Sequence, residues 1–152
     1  MKLDKTDLKL LRILQQDSKK TNKQLASQLH LSVTAIYERI KKLERSGIIN
    51  KYVALVTPEK VGRDFVVFCH IKLSQHTIEN LSAFEKQVAQ LDEVLECFHV
   101  SGEYDYLLKV VVADMPAFRH FMVNKLTTLQ HIGNTQSSFT ISTIKNTTAL
   151  TL

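Results

Sequence analysis

Apolar side chains recur every three or four residues through the first 46 positions, a spacing typical of amphipathic helices that pack on a common core. Leu10, Leu11 and Leu14 form the apolar stripe of a first helix. Asp4 lies where this helix needs its cap, and the helix should end near Asp17-Ser18. The pattern therefore predicts a capped helix at the start of the chain.

Two further helices follow at short intervals. Thr21 and Gln24 have the spacing of a capping box, in which each side chain satisfies a free backbone N–H group at the start of a helix. Ser32 is a suitable cap for the third helix, which should run to about Ser46 and stop at Gly47. Two short helices, a tight turn and a third helix predict a helix-turn-helix.

The rest of the chain has the pattern of strands mixed with helices. The character of the side chains alternates along residues 48–56, and residues that favour β-strands are frequent there. This pattern predicts a strand or wing leaving the helical unit. Further strands are predicted at 65–73, 94–100, 104–113 and 132–144, with helices at 77–90 and after Asp114. This β-α-β-β-α-β order is the ferredoxin-like arrangement. The predicted fold class is α+β, with a (winged) helix-turn-helix in 1–50, a linker or wing strand in 51–63 and a ferredoxin-like domain in 64–152.

One face of the predicted sheet has no cover of its own. Both helices of this arrangement lie on the same side, which exposes Val66 and Phe68 in a lone domain. At about 25 cal/mol per Å² of apolar surface, burial of a few such side chains against a second copy stabilises by several kcal/mol. We therefore expect a homodimer that forms through this face. Such a dimer would also present two copies of the third helix, the recognition helix of a helix-turn-helix, to two DNA half-sites.

Positive charge is concentrated in the first 60 residues. They hold 13 Lys and Arg against six Asp and Glu, whereas residues 61–152 hold seven against nine. This asymmetry indicates a polyanion-binding module joined to a nearly neutral one. The alternative is a merely solvated basic surface, which most lysine-rich helices have.

The outer side of the third helix has the chemistry to bind duplex DNA. A helix fits the major groove, where its N-terminal residues reach base edges, and lysines further along meet phosphates. Residues at the start of the second helix can contact the backbone from the other side. The candidate DNA-binding residues are Asn22, Lys23, Ser32, Val33, Thr34, Ala35, Tyr37, Glu38, Arg39, Lys41, Lys42 and Arg45.

Other classes of function have little support. No apolar run approaches the ~20 residues of a membrane span, and the charged N-terminus lacks a signal-peptide pattern, so we expect a cytoplasmic protein without membrane contact. Cys69 and Cys97 are expected to be reduced thiols. With His70 and His99 they could form a metal site, but their spacing is not that of a zinc motif, and we expect none. Because no catalytic or phosphate-binding motif occurs, we expect neither an enzyme nor a bound cofactor.

Short motifs lie in both halves of the chain in a definite order. They are Asp4-Lys5-Thr6-Asp7, Leu25-Ala26, Leu31-Ser32, Glu38-Arg39-Ile40-Lys41-Lys42-Leu43-Glu44, Gly47-Ile48-Ile49 and the run from Val100 to Lys109. Together they resemble the signature of the Lrp/AsnC (feast/famine) transcription regulators, and the resemblance covers almost the whole chain. His30 stands where that family usually has glycine, and Val33 where many members have proline.

The resemblance implies a C-terminal ligand-sensing domain, dimers that assemble further into octamers, and an amino-acid effector bound between dimers. Backbone N–H groups near Gly102 could donate hydrogen bonds to the carboxylate of the amino acid. Glu103 or Asp105 could accept hydrogen bonds from its ammonium group. The candidate effector-binding residues are Ser101, Gly102, Glu103, Tyr104 and Asp105 in the turn and Thr135, Gln136, Ser137 and Ser138 on the last strand. The alternative is a plain hairpin in which Asp105 is a structural acceptor.

The leading hypothesis is a sequence-specific DNA-binding transcriptional regulator, located at the nucleoid, whose oligomeric state or DNA binding responds to a small effector. One alternative is an architectural protein that compacts DNA without a ligand, and an effect of ligand on DNA binding separates the two. Another is a metabolite-binding module that regulates an enzyme, which the basic third helix disfavours.

Overall fold

The computed structural model describes residues 2–152, which form two compact units. The first unit contains the chain up to Leu55 together with Ile144–Leu152, and the second contains Val56–Thr143. Residues 144–152 were predicted to belong to the second domain, but they pack on the first unit. There the Gln15 side chain bonds both backbone polar groups of Leu150, and Leu152 packs on the helical core.

The first unit is a helix-turn-helix, as predicted. Helix α1 spans Lys5–Gln16, α2 spans Asn22–Leu29 and α3 spans Val33–Arg45. The side chains of Asp4, Thr21 and Ser32 each accept a bond from the backbone N–H three residues on, so the predicted caps are confirmed. The core of the unit consists of Leu10, Leu11, Leu25, Ala26, Ile36 and Leu43.

A residue with left-handed backbone dihedral angles follows the last turn of α2, and another follows the last turn of α3. His30, which caps α2, has a φ of 53°, and Gly47 beyond α3 has a φ of 74°. Histidine is one of the few non-glycine residues found there with some frequency, so the turn between α2 and α3 forms without glycine.

The strand predicted at 48–56 does not form in the described chain. Ile48 and Ile49 both donate their backbone N–H groups to the carbonyl oxygen of Leu43 at 3.1 Å, which folds the chain back onto the end of α3. Residues 50–57 continue without helix or strand. Alternating β-branched residues favour an extended backbone, but a strand also needs a hydrogen-bonded neighbour, and residues 2–152 supply none here.

The second unit has the predicted ferredoxin-like order. After a 3₁₀ turn at Pro58–Val61, it contains β1 (Phe65–Leu73), α4 (Ile78–Val88), β2 (Val94–His99), β3 (Tyr106–Val112), α5 (Met115–Asn124), a 3₁₀ turn at Leu126–Thr128, and β4 (Ile132–Phe139). The antiparallel sheet has the strand order β2-β3-β1-β4. Strand β4 ends at Phe139, short of the predicted Ile144.

The two faces of the sheet differ in burial. Val67, Cys69 and Ile71 of β1 are fully buried in a core with side chains of α4 and α5, whereas Val66 and Phe68 point to the other face and are half-buried. We call this second side the open face. The register places His70 on the open face and His99 beside Tyr106 on the helix-covered face. The two histidines therefore do not approach one another.

Candidate DNA-contacting and effector sites

The start of α3 presents a mixed polar and apolar surface. The Ser32 hydroxyl accepts the Ala35 N–H at 3.1 Å, so it is engaged as the helix cap. Thr34 and Glu38 are exposed, and Val33 and Tyr37 are each about half exposed. These side chains are available to groups that approach α3 from outside, as the predicted contact to base edges requires.

Arg39 is committed to contacts inside the first unit. Its Nη1 atom lies 2.7 Å from Asp4 Oδ2 and also bonds Asp7, whose side chain is only 2% exposed. The bond from the Asp7 amide, followed by that from Arg39, lowers the pKa of Asp4, and both carboxylates raise the pKa of Arg39. Arg39 is among the predicted DNA contacts; in the structure its guanidinium ties α3 to the start of α1.

The three other cations of α3 differ in their availability. Lys41 Nζ lies 2.8 Å from Glu44 Oε2, a bond that raises the pKa of Lys41 and lowers that of Glu44. Arg45 reaches Glu38 only at 4.0 Å and remains exposed. Within residues 2–152, Lys42 is exposed and forms no ion pair. It is therefore the α3 lysine best placed to meet a phosphate.

The N-terminus of α2 is ordered by its own cap. The backbone N–H of Gln24 donates to the Thr21 hydroxyl at 3.2 Å, and the backbone N–H of Thr21 donates to Gln24 Oε1 at 2.8 Å. Beside this box Asn22 is half-buried and Lys23 exposed. Lys23 is the better placed of the two for contact with a phosphate.

Asp105 holds the predicted effector turn to the end of β1. Its Oδ2 accepts the Leu73 N–H at 2.7 Å, and its Oδ1 lies 2.8 Å from His76 Nε2. Burial would raise the pKa of Asp105, but these two bonds outweigh it and hold the pKa below its ordinary value. The carboxylate is thus a structural acceptor, the alternative that the sequence left open, and Glu103 is the exposed acid of the turn.

The remaining candidate effector residues separate onto two faces. Tyr104 donates its hydroxyl to Gln136 Oε1 at 2.5 Å and packs against His70, with ring centroids 5.2 Å apart. Gln136 and Ser138 pair with open-face residues of β1, whereas Thr135 and Ser137 pair with buried ones. Because neighbours along a strand point to opposite faces, the four candidate residues of β4 lie on two faces of the sheet, and their contact with an effector stays a prediction.

Sequence reasoning missed two side chains at this end of the sheet. His76 lies in the loop after β1 and bonds Asp105, and His70 was considered only as a metal ligand. Antiparallel alternation could have shown His70 beside Gln136 once the register was known, but no local pattern marks His76. Among residues 2–152 no group of three or more acidic, histidine or cysteine side chains is arranged to hold a metal ion.

Comparisons with known proteins cover both units. A model of the Lrp/AsnC ligand binding domain matches residues 66–150, and a winged helix-turn-helix DNA-binding model matches residues 3–50. The chain belongs to the Lrp/AsnC family. It is 39% identical over 148 residues to the DNA-binding transcriptional activator DecR of Escherichia coli K12, covering 97% of each chain, and 35% identical to the leucine-responsive regulatory protein of Rhizobium meliloti, covering 96% and 94%.

Solved structures agree with this family. The transcriptional regulator NMB0573 of Neisseria meningitidis, solved as an L-Met complex, superposes with a TM-score of 0.94 at 37% identity, covering 99% of this chain and 97% of that one. An AsnC family regulator from Agrobacterium tumefaciens also gives 0.94, at 40% identity and 98% and 97% coverage. The chain is therefore a DNA-binding transcriptional regulator with an effector-responsive ligand-binding domain, and its relatives are regulators rather than enzymes. No helix among residues 2–152 has the length and hydropathy to cross a bilayer.

Proposed function

We propose that this Lrp/AsnC regulator binds a free amino acid at the turn between β2 and β3, and that the ligand changes its assembly or its affinity for DNA. The observation that carries the proposal is the L-Met complex of the similar Neisseria regulator. A ligand shifts such an equilibrium only by its difference in affinity for the two states. An effector bound between subunits meets that condition, because its contacts depend on how the subunits are arranged.

The turn offers complementary groups for a zwitterion. Gly102 has a φ of 130°, a conformation that side chains rarely adopt, and the space beside its Cα is open. Ser101, Gly102 and Glu103 are exposed residues, so their backbone N–H groups can donate to a carboxylate, while the Glu103 side chain can accept hydrogen bonds from an ammonium. Tyr104 and Gln136 border this turn on the open face, and Asp105 with His76 positions it.

For DNA binding we propose that different residues of the first unit contact the bases and the phosphates. Thr34, Tyr37 and Glu38 would meet base edges, and Lys23, Lys42 and Arg45 would meet phosphates. Arg39 has no part in this contact. Because the partner is duplex DNA, we expect the protein to act in the cytoplasm at the nucleoid.

For assembly we propose a dimer through the open face of the sheet, with dimers joined further into an octamer. Val66 and Phe68 are only half-buried there, and Phe98 is 48% exposed. Phe68→Glu should produce monomers in sedimentation experiments, because it would bury a charge without a partner. Ile78→Glu, an exposed position on α4, is the matched control and should leave the assembly unchanged.

The experiment that tests the effector is a thermal unfolding screen with each of the twenty amino acids, followed by DNA-binding titrations with those that stabilise the chain. A ligand that binds only folded protein raises the melting temperature, because it adds about 2.7 kcal/mol to the free energy of unfolding at a hundredfold excess over Kd. Gly102→Val should remove this response and leave DNA binding intact. If none of the twenty changes melting, assembly or DNA affinity, the amino-acid effector is rejected and a ligand-independent architectural role gains support.

A further inference from the structure

A line of cations runs along the outer side of α1. Lys5, Lys9 and Arg12 follow one another at intervals of four and three residues, which places them on one face of the helix, and Lys2 lies just before it. All four side chains belong to exposed residues. We call Lys2, Lys5, Lys9 and Arg12 the α1 stripe.

The α1 stripe holds more uncompensated charge than the recognition helix. Arg39 and Lys41 of α3 form ion pairs at 2.7 and 2.8 Å, and Arg45 has Glu38 at 4.0 Å. Within the described chain, residues 2–152, none of the four stripe cations forms an ion pair. The excess positive charge of the first unit therefore lies largely outside the surface that reads DNA.

The arrangement of the stripe is unfavourable for the helix that carries it. Lys5 and Lys9 are like charges four residues apart, which destabilises a helix by a few tenths of a kcal/mol. Lys5, the first residue of α1, also lies at the end of the helix where the dipole favours negative charge. Helix stability alone thus gives no reason for this pattern, whereas a polyanionic partner does.

We propose that the α1 stripe binds phosphates of duplex DNA independently of sequence, as a contact surface separate from α3. The residues from Lys5 to Arg12 span about 10 Å along the helix axis, the axial length of about three phosphates on one strand. The opposite side of α1 carries Leu10 and Leu11, which pack in the same core as Ile36 of α3. The two charged surfaces therefore face outward in different directions, and DNA that meets both must follow the surface of the unit beyond the segment seated on α3.

The test is the salt dependence of DNA affinity for the full chain carrying Lys5→Gln, Lys9→Gln and Arg12→Gln. Each lost phosphate contact reduces the slope of log affinity against log salt by about 0.9, so three contacts predict a change of about 2.7. A fourfold rise in salt should then cost the wild type about 40-fold more affinity than the variant. The effect should be the same for duplexes of different sequence.

The matched control carries Lys60→Gln, Lys86→Gln and Arg119→Gln, three exposed cations of the second unit, and loses the same net charge. Its slope should stay close to that of the wild type. A third variant with Lys5→Arg, Lys9→Arg and Arg12→Lys keeps the charge of the stripe and should keep the slope of log affinity against log salt. Thermal unfolding checks that all three variants fold.

Equal salt slopes for the Gln stripe variant and its control would overturn the proposal, as would a loss of affinity confined to one DNA sequence. Neither outcome depends on an effector.

Discussion

The guanidinium of Arg39 bonds the buried carboxylate of Asp7 and so joins the middle of α3 to the first turn of α1. The Asp7 side chain is 2% exposed, and Arg39 is its charged partner in the structure. A residue that lies in the recognition helix thus acts as a support for it.

Arg39→Ala should destabilise the first unit by about 2 kcal/mol, because it leaves the Asp7 carboxylate buried without its charged hydrogen-bond donor. Urea unfolding measures this loss. Arg45→Ala, which removes an exposed arginine of the same helix, should cost less than about 1 kcal/mol. A variant of Arg39 that kept full stability but lost about one unit of salt slope in DNA binding would instead make Arg39 a phosphate contact.

Lys42→Ala should weaken binding to all duplexes and reduce the salt slope by about one unit, since Lys42 is exposed and without an ion pair among residues 2–152. Lys41→Ala should have a smaller effect, because the ammonium of Lys41 is already bonded to Glu44 at 2.8 Å. Fluorescence anisotropy titrations over a range of salt concentrations compare the two. A larger change of slope for Lys41→Ala would contradict this assignment.

The pKa of Asp105 predicts a stability that is lost in acid. Since the Leu73 amide and the His76 ring hold the folded pKa below the ordinary 3.8, the ionised carboxylate stabilises the fold above about pH 4. This contribution disappears as the pH falls through the folded pKa. Asp105→Asn keeps an acceptor for Leu73 but cannot titrate. Its unfolding free energy should fall less steeply than that of the wild type between about pH 4 and pH 3. Parallel pH profiles of the two proteins would exclude the assigned role.

The C-terminal tail contributes to the stability of the first unit. Gln15 accepts the Leu150 N–H at 2.7 Å and donates to the Leu150 carbonyl at 3.1 Å. Gln15→Ala should therefore lower the free energy of unfolding by about 1 kcal/mol, as expected for lost neutral hydrogen bonds. Gln16→Ala, at the exposed neighbouring position, should change it by no more than a few tenths. Equal melting temperatures for these two variants would show that the tail adds no stability.

Local signals predicted the fold well because most of its elements carry their own boundaries. Asp4, Thr21 and Ser32 cap helices with side chains that the sequence displays directly, and Asp114 likewise caps α5. The alternation in β1 likewise identified its buried side. These features depend on residues only a few positions apart.

Features that depend on distant partners could not be predicted. Arg39 is basic and lies in the recognition helix, and no local pattern indicates that its carboxylates lie on α1. The segment 48–56 has strand character but no neighbour to pair with among residues 2–152. The separation of Thr135 from Gln136 follows from alternation, but which of them faces the turn depends on the pairing of β4 with β1.

The most direct test of the account is the affinity of the full chain for duplex DNA at low salt, with and without the amino acid that most raises its melting temperature. We expect salt-dependent binding that this amino acid strengthens or weakens, while Gly102→Val binds DNA with no response to it. Absence of DNA binding at low salt would contradict the assignment of the first unit, and binding that no amino acid changes would contradict the proposed effector.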